Sequence, residues 1–290
     1  MTSPKVLLTA WQLRAKKRYG QNFLRHPSTA EQLVGLVRVT PEDVVLEIGA
    51  GLGALTIPLA RSARKVVAVE RDPDLAGLLK TELLAAGTAE VVILQQNILD
   101  VDVSKIASSE GQPLIVVGNL PYNISSQILI RLVAERNSIS RAVLMFQKEL
   151  ADRICAGPGG KTYGRLSVLI QYCAQIEKIL QVKAADFFPK PKVDATVLRL
   201  TFLHTPEFPA GDETFFFKVV QAAFSQRRKM LKNALSGSFL KVGATLARNA
   251  LADADIDPSR RAETLSVQEF VRLSDHLQSL LPRNQKDGLR

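Results

Sequence analysis

A buried strand and a glycine loop are encoded together in the stretch VVLEIGAGLGALT, residues 44–56. The run Val44–Ile48 is almost entirely apolar, which predicts a strand of a parallel sheet with both faces covered. The glycines that follow let the backbone pass close to a bound nucleoside, and the helix start favours polar or anionic groups. Gly49, Gly51 and Ala54 also fit the dinucleotide fingerprint, so this loop alone does not distinguish NAD from S-adenosylmethionine.

Polar side chains follow the next two predicted strands, Lys65–Val69 and Val91–Leu94. Glu70 ends the first strand about 20 residues after the central glycine, the position from which a carboxylate accepts the hydroxyl groups of a ribose. An ordinary surface glutamate is the weaker interpretation, because the residue ends an apolar strand. Asn97 follows the second strand and is expected to hydrogen-bond an adenine edge.

A fourth predicted strand, Leu114–Val117, leads into the sequence GNLPYN, residues 118–123. Two acceptors there, the Asn119 side-chain carbonyl and the Pro121 backbone carbonyl, are placed to hold both hydrogens of an exocyclic amine on a nucleobase. The nitrogen lone pair would then be free to attack. Tyr122 is placed to stack on the base, as enzymes acting on extruded bases require. A plain β-turn is the alternative, since Asn, Pro and Gly also cluster in turns for backbone reasons.

A second aromatic candidate, Phe187, lies in a loop between two further predicted strands, near 176–182 and 195–202. Pro189 and Pro191 stiffen this loop, so the Phe187 ring could be held to sandwich a base against Tyr122. Plain core packing explains a phenylalanine here equally well.

Strands that alternate with helices predict an α/β fold with a doubly wound, mostly parallel seven-stranded sheet. Pro206 and Pro209 mark a linker, and the chain beyond them shows helical periodicity without strands. We therefore expect a basic N-terminal arm over residues 1–20, a large α/β domain over 21–204 and a small all-helical, RNA-binding domain over 205–290.

The net charge is +10 and the pI is near 9.7, which points to a polyanionic partner. Residues 1–40 hold seven Lys or Arg against a single Glu. The basic residues of two clusters are candidates for contact with RNA phosphates: Lys16, Lys17, Arg18, Arg227, Arg228 and Lys229. A solvated tail and a solvated helix end are the alternatives for these two clusters.

Several classes of protein lack support in the sequence. Two cysteines and three histidines without ligand or triad spacing favour neither a metal site, a disulfide framework nor Ser-His chemistry. No apolar run approaches a membrane span and the start lacks a signal-peptide core, so we expect a cytoplasmic protein. No long heptad seam is present, so we expect a monomer.

In this order, the motifs resemble those of the ribosomal RNA adenine N6-dimethyltransferases, most closely the KsgA type that modifies small-subunit rRNA. The resemblance covers nearly the whole chain. The stretches that carry it are Gly20–Leu24, Leu46–Gly51, Asn119–Asn123, Tyr163–Ser167, Phe187–Asp194, Gln226–Lys229 and Arg261–Leu265.

The resemblance implies methyl transfer from S-adenosylmethionine to N6 of two adjacent adenosines near the 3′ end of small-subunit rRNA, free or in a pre-30S particle, as part of small-subunit maturation. It implies a cofactor site formed by Gln21, Asn22, Leu24, Gly49, Gly51, Glu70, Asn97 and Asn119. It implies that the target adenine is positioned by Asn119, Leu120, Pro121, Tyr122 and Phe187. Asn97 departs from the family, which often has Asp there, as does Ala50, where many relatives have Pro.

Three other functions share part of this pattern: a large-subunit rRNA methyltransferase of the macrolide-resistance type, a NAD-dependent dehydrogenase, and a non-catalytic RNA-binding ribosome assembly factor. The segment 261–265 and the long helical tail argue against the first. A NAD-dependent dehydrogenase does not need the Asn-Leu-Pro-Tyr sequence. The same intact sequence argues against an assembly factor whose site is purely vestigial.

Overall fold

Strands form where apolar and β-branched residues are densest. The computed structural model describes residues 2–88, 90–226 and 228–281. Its strands are β1 (Phe23–Leu24), β2 (Val44–Ile48), β3 (Lys65–Val69), β4 (Val91–Leu94), β5 (Leu114–Asn119), β6 (Ile139–Gln147), β7 (Ala174–Val182), β8 (Phe187–Phe188) and β9 (Ala195–Phe202). The bounds predicted for β2, β3 and β4 agree with those in the structure.

The helices of the described residues alternate with these strands and then replace them after residue 202. They are α1 (Pro4–Ala10), α2 (Pro27–Val37), α3 (Thr56–Ala60), α4 (Pro73–Ala86), α5 (Val103–Glu110), α6 (Ser125–Ala134), α7 (Lys148–Cys155), α8 (Arg165–Cys173), α9 (Glu213–Ala223), α10 (Leu231–Ser236), α11 (Ala244–Asp253) and α12 (Val267–Leu280). Short 3₁₀ turns cover Lys17–Tyr19, Ile98–Asp100, Arg136–Ser138, Ala184–Asp186, Phe224–Gln226 and Ala262–Thr264. None of the helices in the described ranges is long and apolar enough to cross a bilayer.

Seven strands form one sheet in the order β4-β3-β2-β5-β6-β9-β7. The pairs from β4 through to β6 are parallel, and β9 runs antiparallel to β6. Helix α2 covers the sheet with Leu33 and Val37, which are buried in one cluster with Val45 and Val117. The predicted doubly wound, mostly parallel sheet followed by C-terminal helices is therefore confirmed.

The strand order reverses between β2 and β5, because β3 and β4 extend the sheet on one side and β6 on the other. At the carboxyl ends of these two strands, Ile48 pairs with Gly118. A Cβ atom at position 118 would lie 2.7 Å from the Ile48 carbonyl oxygen, so only glycine allows the strands to approach this closely. Open α/β sheets bind ligands at such a reversal.

The chain divides into two units, each with its own core. The first comprises the described residues within 2–151 and 175–202, and the second those within 152–174 and 203–281. Residues 152–174, which the sequence assigned to the large domain, thus pack with the C-terminal helices. The reason lies in α8, where the Tyr172 ring lies 4.4 Å from Phe216 and 5.8 Å from Phe217, measured between centroids.

The N-terminal residues also differ from the expected arm. Ser3 caps α1 by accepting a hydrogen bond from the Val6 amide, and Leu7 and Leu8 of this helix are buried. They belong to a cluster that includes Leu52, Leu75 and Leu78, so α1 is part of the first unit. The basic residues of this segment predicted an arm outside the fold, so the buried face formed by Leu7 and Leu8 was not expected.

Candidate active site

The glycine loop after β2 is tied to the end of the neighbouring strand. Gly49 donates to the Val69 carbonyl at 2.9 Å, and Gly51 donates to Oε2 of Glu70 at 2.8 Å. Gly51 has a φ of +56°, and a Cβ atom there would lie 3.2 Å from the Phe23 ring. The loop is therefore folded against Glu70 and Phe23, and a side chain at 51 would strain it.

Glu70 keeps acceptor capacity toward the cleft. Its Oε1 accepts from the Asp72 amide at 2.8 Å, and the whole residue is 7% exposed. Burial raises the pKa of this carboxyl, while the hydrogen bonds from Asp72 and Gly51 oppose the rise. Because each carboxylate oxygen has a second lone pair, Glu70 fits the two hydroxyl groups of a ribose.

Asn97 lies in the same cleft, at the start of the 3₁₀ turn Ile98–Asp100. Its Oδ1 accepts a hydrogen bond from the Leu99 amide at 3.3 Å. The amide group Nδ2 is thus left as the donor, which suits a ring nitrogen of adenine. The departure from Asp at this position is compatible with adenine binding.

Asn119 ends β5, and its amide orientation is fixed by the N-terminal segment. Nδ2 of Asn119 donates to the backbone carbonyl of Asn22 at 2.8 Å, and Nδ2 of Asn22 in turn donates to the Gly20 carbonyl at 3.1 Å. With its nitrogen engaged in this way, Asn119 presents Oδ1 as an acceptor. This is the atom type that an exocyclic amine requires.

The second expected acceptor, the Pro121 carbonyl, is occupied. It accepts from Oγ of Ser125 at 2.8 Å and from the Ile124 amide at 3.2 Å, bonds that begin helix α6. The Leu120 carbonyl accepts no hydrogen bond from any described residue. Leu120 also lines the cleft, so its carbonyl is the free backbone acceptor in this segment.

The two expected aromatic residues have different surroundings. Tyr122 lines the cleft, and burial raises its pKa to about 12, so the phenol stays neutral; its hydroxyl is buried without a hydrogen-bond partner among the described residues. Phe187 is 1% exposed, pairs with Leu24 between β8 and β1, and packs in the core. Phe187 does not line the cleft, so it packs in the core, and Tyr122 is the one of the two predicted aromatic residues that faces the cleft.

Gln21 holds the N-terminal segment in place and does not face the cleft with a free amide. Its Oε1 accepts from the Lys16 amide at 2.7 Å, and its Nε2 donates to Asp72 at 2.9 Å. The Lys16 ammonium also contacts Asp72, at 2.7 Å, and Asp74, at 2.6 Å. The Asp72 and Asp74 hydrogen bonds raise the pKa of Lys16, so its charge is already paired.

The other expected RNA-binding residues are placed differently. Lys17 and Arg18 are exposed in the first unit, and Arg228 and Lys229 are exposed in the second. Arg227 lies outside the described residues. The guanidinium of Arg18 lies 4.8 Å from the centroid of the Tyr19 ring, and that of Arg71, a residue not expected from the sequence, lies 5.4 Å from it.

One cleft in the first unit collects these groups. It holds about 990 Å³ of empty space when its open mouth is included. The sequence-predicted residues that line it are Arg18, Gln21, Asn22, Leu24, Gly49, Gly51, Glu70, Asn97, Asn119, Leu120, Pro121 and Tyr122. Glu47 and Arg71 line it as well. The sequence did not predict them, because Glu47 lies inside an apolar strand and Arg71 lies in an ordinary charged run.

No metal chemistry is indicated by the side chains. Residues 2–88, 90–226 and 228–281 contain no group of three or more His, Cys, Asp or Glu side chains arranged to hold a metal ion. The cleft instead offers a buried carboxylate, amides and a glycine loop, a set that fits a nucleoside ligand.

Comparisons with known proteins agree with this geometry. The family profile described as "Ribosomal RNA adenine dimethylase" matches residues 12–279. Two curated relatives carry the name "Ribosomal RNA small subunit methyltransferase A". The protein from Desulforapulum autotrophicum is 50% identical over 97% of this chain and 98% of its own length. That from Geobacter sulfurreducens is 44% identical over 91% and 96%.

Two solved structures share the fold. A dimethyladenosine transferase from Plasmodium falciparum has a TM-score of 0.70 and 24% identity, over 87% of this chain and 95% of that one. The 23S rRNA methyltransferase ErmE has a TM-score of 0.65 and 24% identity, over 88% and 99%. At this identity the likeness establishes the fold alone.

Proposed function

Because the chain belongs to the ribosomal RNA adenine dimethylase family, we propose that it transfers methyl groups from S-adenosylmethionine to N6 of two adjacent adenosines near the 3′ end of small-subunit rRNA. The product is N6,N6-dimethyladenosine. The observation that carries this function at the site is the free Oδ1 of Asn119, held by the hydrogen bond from Nδ2 to Asn22 at 2.8 Å.

The main obstacle to this reaction is the weak nucleophilicity of N6, whose lone pair is delocalised into the adenine ring. Oδ1 of Asn119 and the Leu120 carbonyl supply two acceptors at the end of β5 for the two N6 hydrogens. Accepting both favours a tetrahedral nitrogen with its lone pair free. Tyr122 stacks on the base and fixes the ring plane.

S-adenosylmethionine supplies an activated methyl group on a sulfonium. Within the chain, Glu70 holds the ribose, Asn97 the adenine, and the loop at Gly49 and Gly51 approaches the nucleoside closely. Asn22 and Leu24 close the same side of the cleft. No side chain is needed as a general base, because N6 becomes strongly acidic once methylated and loses its proton to solvent.

Ribosomal RNA is the macromolecular partner, and we place its backbone at the mouth of the cleft. Arg18 and Arg71 flank Tyr19 there and form no ion pair with any described carboxylate. Two unpaired guanidiniums beside an aromatic ring suit a phosphodiester next to a stacked base. We further propose small-subunit rRNA, free or in a pre-30S particle, as substrate, a monomeric enzyme and a cytoplasmic location.

Nucleoside mass spectrometry tests the function directly. Unmethylated small subunits and large subunits are incubated separately with the protein and S-adenosylmethionine. We expect N6,N6-dimethyladenosine only in the small-subunit rRNA. The same product in large-subunit rRNA alone would assign the chain to the macrolide-resistance type, and no product in either would favour an assembly factor.

A further inference from the structure

A second buried carboxyl, Glu47, lines the same cleft as Glu70 and has no role in the chemistry described above. It is 1% exposed, and its Oε2 has no hydrogen-bond partner among the described residues. The Thr56 hydroxyl, also buried, is close enough to lower the pKa of Glu47 but makes no hydrogen bond of normal geometry with it. A buried carboxyl oxygen with no more than this weak contact, beside a ligand cleft, indicates that a ligand completes its surroundings.

No Lys or Arg of the described residues acts on Glu47 to compensate its charge. Its register partners are Ala68 on β3 and Val117 on β5, which are apolar. The groups that influence it are Thr56 on α3 and Glu70 at the end of β3. Burial raises the pKa of Glu47 to about 8, the Thr56 hydroxyl opposes this rise, and the negative charge of Glu70 adds to it.

The proposed reaction changes the charge of the ligand in this cleft. The methyl donor carries a positive sulfonium, whereas the sulfur of the product S-adenosylhomocysteine is neutral. A positive charge close to a buried carboxyl favours its ionised form, and removal of that charge restores the protonated form. Two backbone hydrogen bonds to Glu70 oppose the rise of its pKa, so its ionised form is better held than that of Glu47.

We propose that Glu47 exchanges a proton with solvent as the ligand's charge changes, and thereby favours the cationic methyl donor over the neutral product. When the donor binds, the Glu47 O–H bond breaks and the proton passes to solvent. After the methyl group has moved to adenine N6, the carboxylate faces a neutral sulfur, takes a proton from solvent and releases the product more readily. This inference rests on the proposed function.

Linkage fixes the direction and size of the effect. At pH 7 a carboxyl with a pKa of about 8 is about nine-tenths protonated in the free protein. Binding of a cation therefore releases close to one proton, and the donor binds about five- to tenfold tighter at pH 7.5 than at pH 6.5. The affinity of the neutral product changes by about twofold or less over the same range.

Isothermal titration calorimetry of the full chain measures this proton. Titrations at pH 7 in phosphate and in Tris, which differ in ionisation enthalpy, give the protons released per ligand. Three ligands separate charge from methylation: S-adenosylmethionine, S-adenosylhomocysteine and sinefungin, a cationic analogue in which an amine-bearing carbon replaces the sulfonium. We expect proton release with the first and third and little with the second.

Glu47→Gln should abolish the difference between ligands, whereas Glu31→Gln, which neutralises an exposed carboxyl on α2, should preserve it. Equal proton release by S-adenosylmethionine and S-adenosylhomocysteine in the wild type would overturn the inference, whether or not Glu47→Gln folds. So would unchanged release in a folded Glu47→Gln protein. Failure of the wild type to bind S-adenosylmethionine at all would instead contradict the proposed function.

Discussion

Asn119 shows how one hydrogen bond at the residue scale supports its proposed catalytic role. Its Nδ2 donates to the Asn22 carbonyl, which leaves Oδ1 as the free acceptor. Asn119→Ala removes this acceptor and leaves Glu70 and Asn97, the proposed cofactor contacts, in place. We expect kcat to fall by about a hundredfold or more, the range seen when a single group that stabilises a transition state is removed. Single-turnover methylation of small-subunit rRNA measures the loss.

Asn137→Ala is the matched control, because Asn137 is an exposed amide of the same unit that does not line the cleft. It should methylate within about threefold of wild type, a change below 1 kcal/mol in activation energy. Calorimetry should show S-adenosylmethionine binding in both variants. Normal turnover by Asn119→Ala would refute the acceptor role.

The buried Glu47 carboxyl makes stability depend on pH in an unusual direction. Its pKa is about 8 in the folded protein and near 4.5 in an unfolded chain, so the folded state binds the proton more tightly. Its contribution is fully present below pH 4.5 and is lost as pH rises toward 8. Relative to Glu47→Gln, the wild type should lose about 3 kcal/mol of unfolding free energy between pH 5 and pH 8.

Urea unfolding of both proteins without ligand, at several pH values, tests this prediction. Gln carries no titratable proton, so the difference between the two curves isolates the contribution of residue 47 from that of Glu70. A difference that stays constant from pH 5 to pH 8 would show that Glu47 has an ordinary pKa.

The sequence indicated the location of residues that end a strand, while their roles stay predictions. Glu70 and Asn119 follow apolar runs, and the parallel order of β3, β2 and β5 brings those ends together. Prediction failed where a role depends on hydrogen-bond partners: the Pro121 carbonyl is occupied by Ser125 and Ile124. The burial of Phe187 arises from β8 pairing with β1, a contact between residues distant in sequence.

At the scale of elements, the segment from Lys16 to Leu24 couples the N-terminus to the chemistry. Lys16 and Gln21 fasten it to Asp72, and its Asn22 carbonyl orients Asn119. Lys16→Ala should therefore loosen the segment by about 1 kcal/mol, about a fivefold increase in its opening. Amide hydrogen exchange over residues 17–24 reports the opening, and single-turnover methylation should slow with it.

Lys17→Ala provides the comparison, since the neighbouring Lys17 is exposed and forms no ion pair with any described carboxylate. Both variants lose one positive charge, but Lys16 is paired with Asp72 and Asp74, so RNA binding should weaken more in Lys17→Ala. Only Lys16→Ala should accelerate exchange. Equal exchange rates in the two variants would show that the contact of Lys16 with Asp72 does not order the segment.

The close approach of β2 and β5 gives a second prediction at this scale. Gly118→Ala would place a Cβ atom 2.7 Å from the Ile48 carbonyl, and relief of that clash should cost about 1–3 kcal/mol of unfolding free energy. Gly77→Ala on α4 has no atom within 4 Å of the new methyl group and should stabilise by about 0.5–1 kcal/mol. Urea unfolding distinguishes the two, and a neutral Gly118→Ala would mean that the strands separate without cost.

At the scale of the whole molecule, the boundary between the two units depends on packing that is not visible along the chain. Residues 152–174 are flanked by strands of the first unit, so their position in the sequence predicts that they belong to that unit. The aromatic contacts of Tyr172 with Phe216 and Phe217 show that α8 belongs to the second core. Local patterns specify elements, whereas the partition of a chain depends on packing between distant residues.

The basic residues differ in whether their charge is available to bind RNA. Lys16 is neutralised by Asp72 and Asp74, so its contribution to RNA binding should be small. Lys17, Arg18 and Arg71 are exposed and unpaired with described carboxylates. If each contacts one phosphate of single-stranded RNA, the triple change to Gln should reduce the slope of log affinity against log salt by about 2.

Fluorescence anisotropy with a labelled small-subunit rRNA fragment, over a series of salt concentrations, measures this slope. The matched control is Arg61→Gln with Lys80→Gln, two exposed cations outside the cleft in the same unit, for which the slope should change by well under 1. S-adenosylmethionine affinity should be unaffected by the triple change, because Glu70 and Asn97 hold that ligand. A loss of cofactor affinity with an unchanged salt slope would instead mean that Arg18 and Arg71 bind the carboxylate of the cofactor and leave the phosphates to other residues.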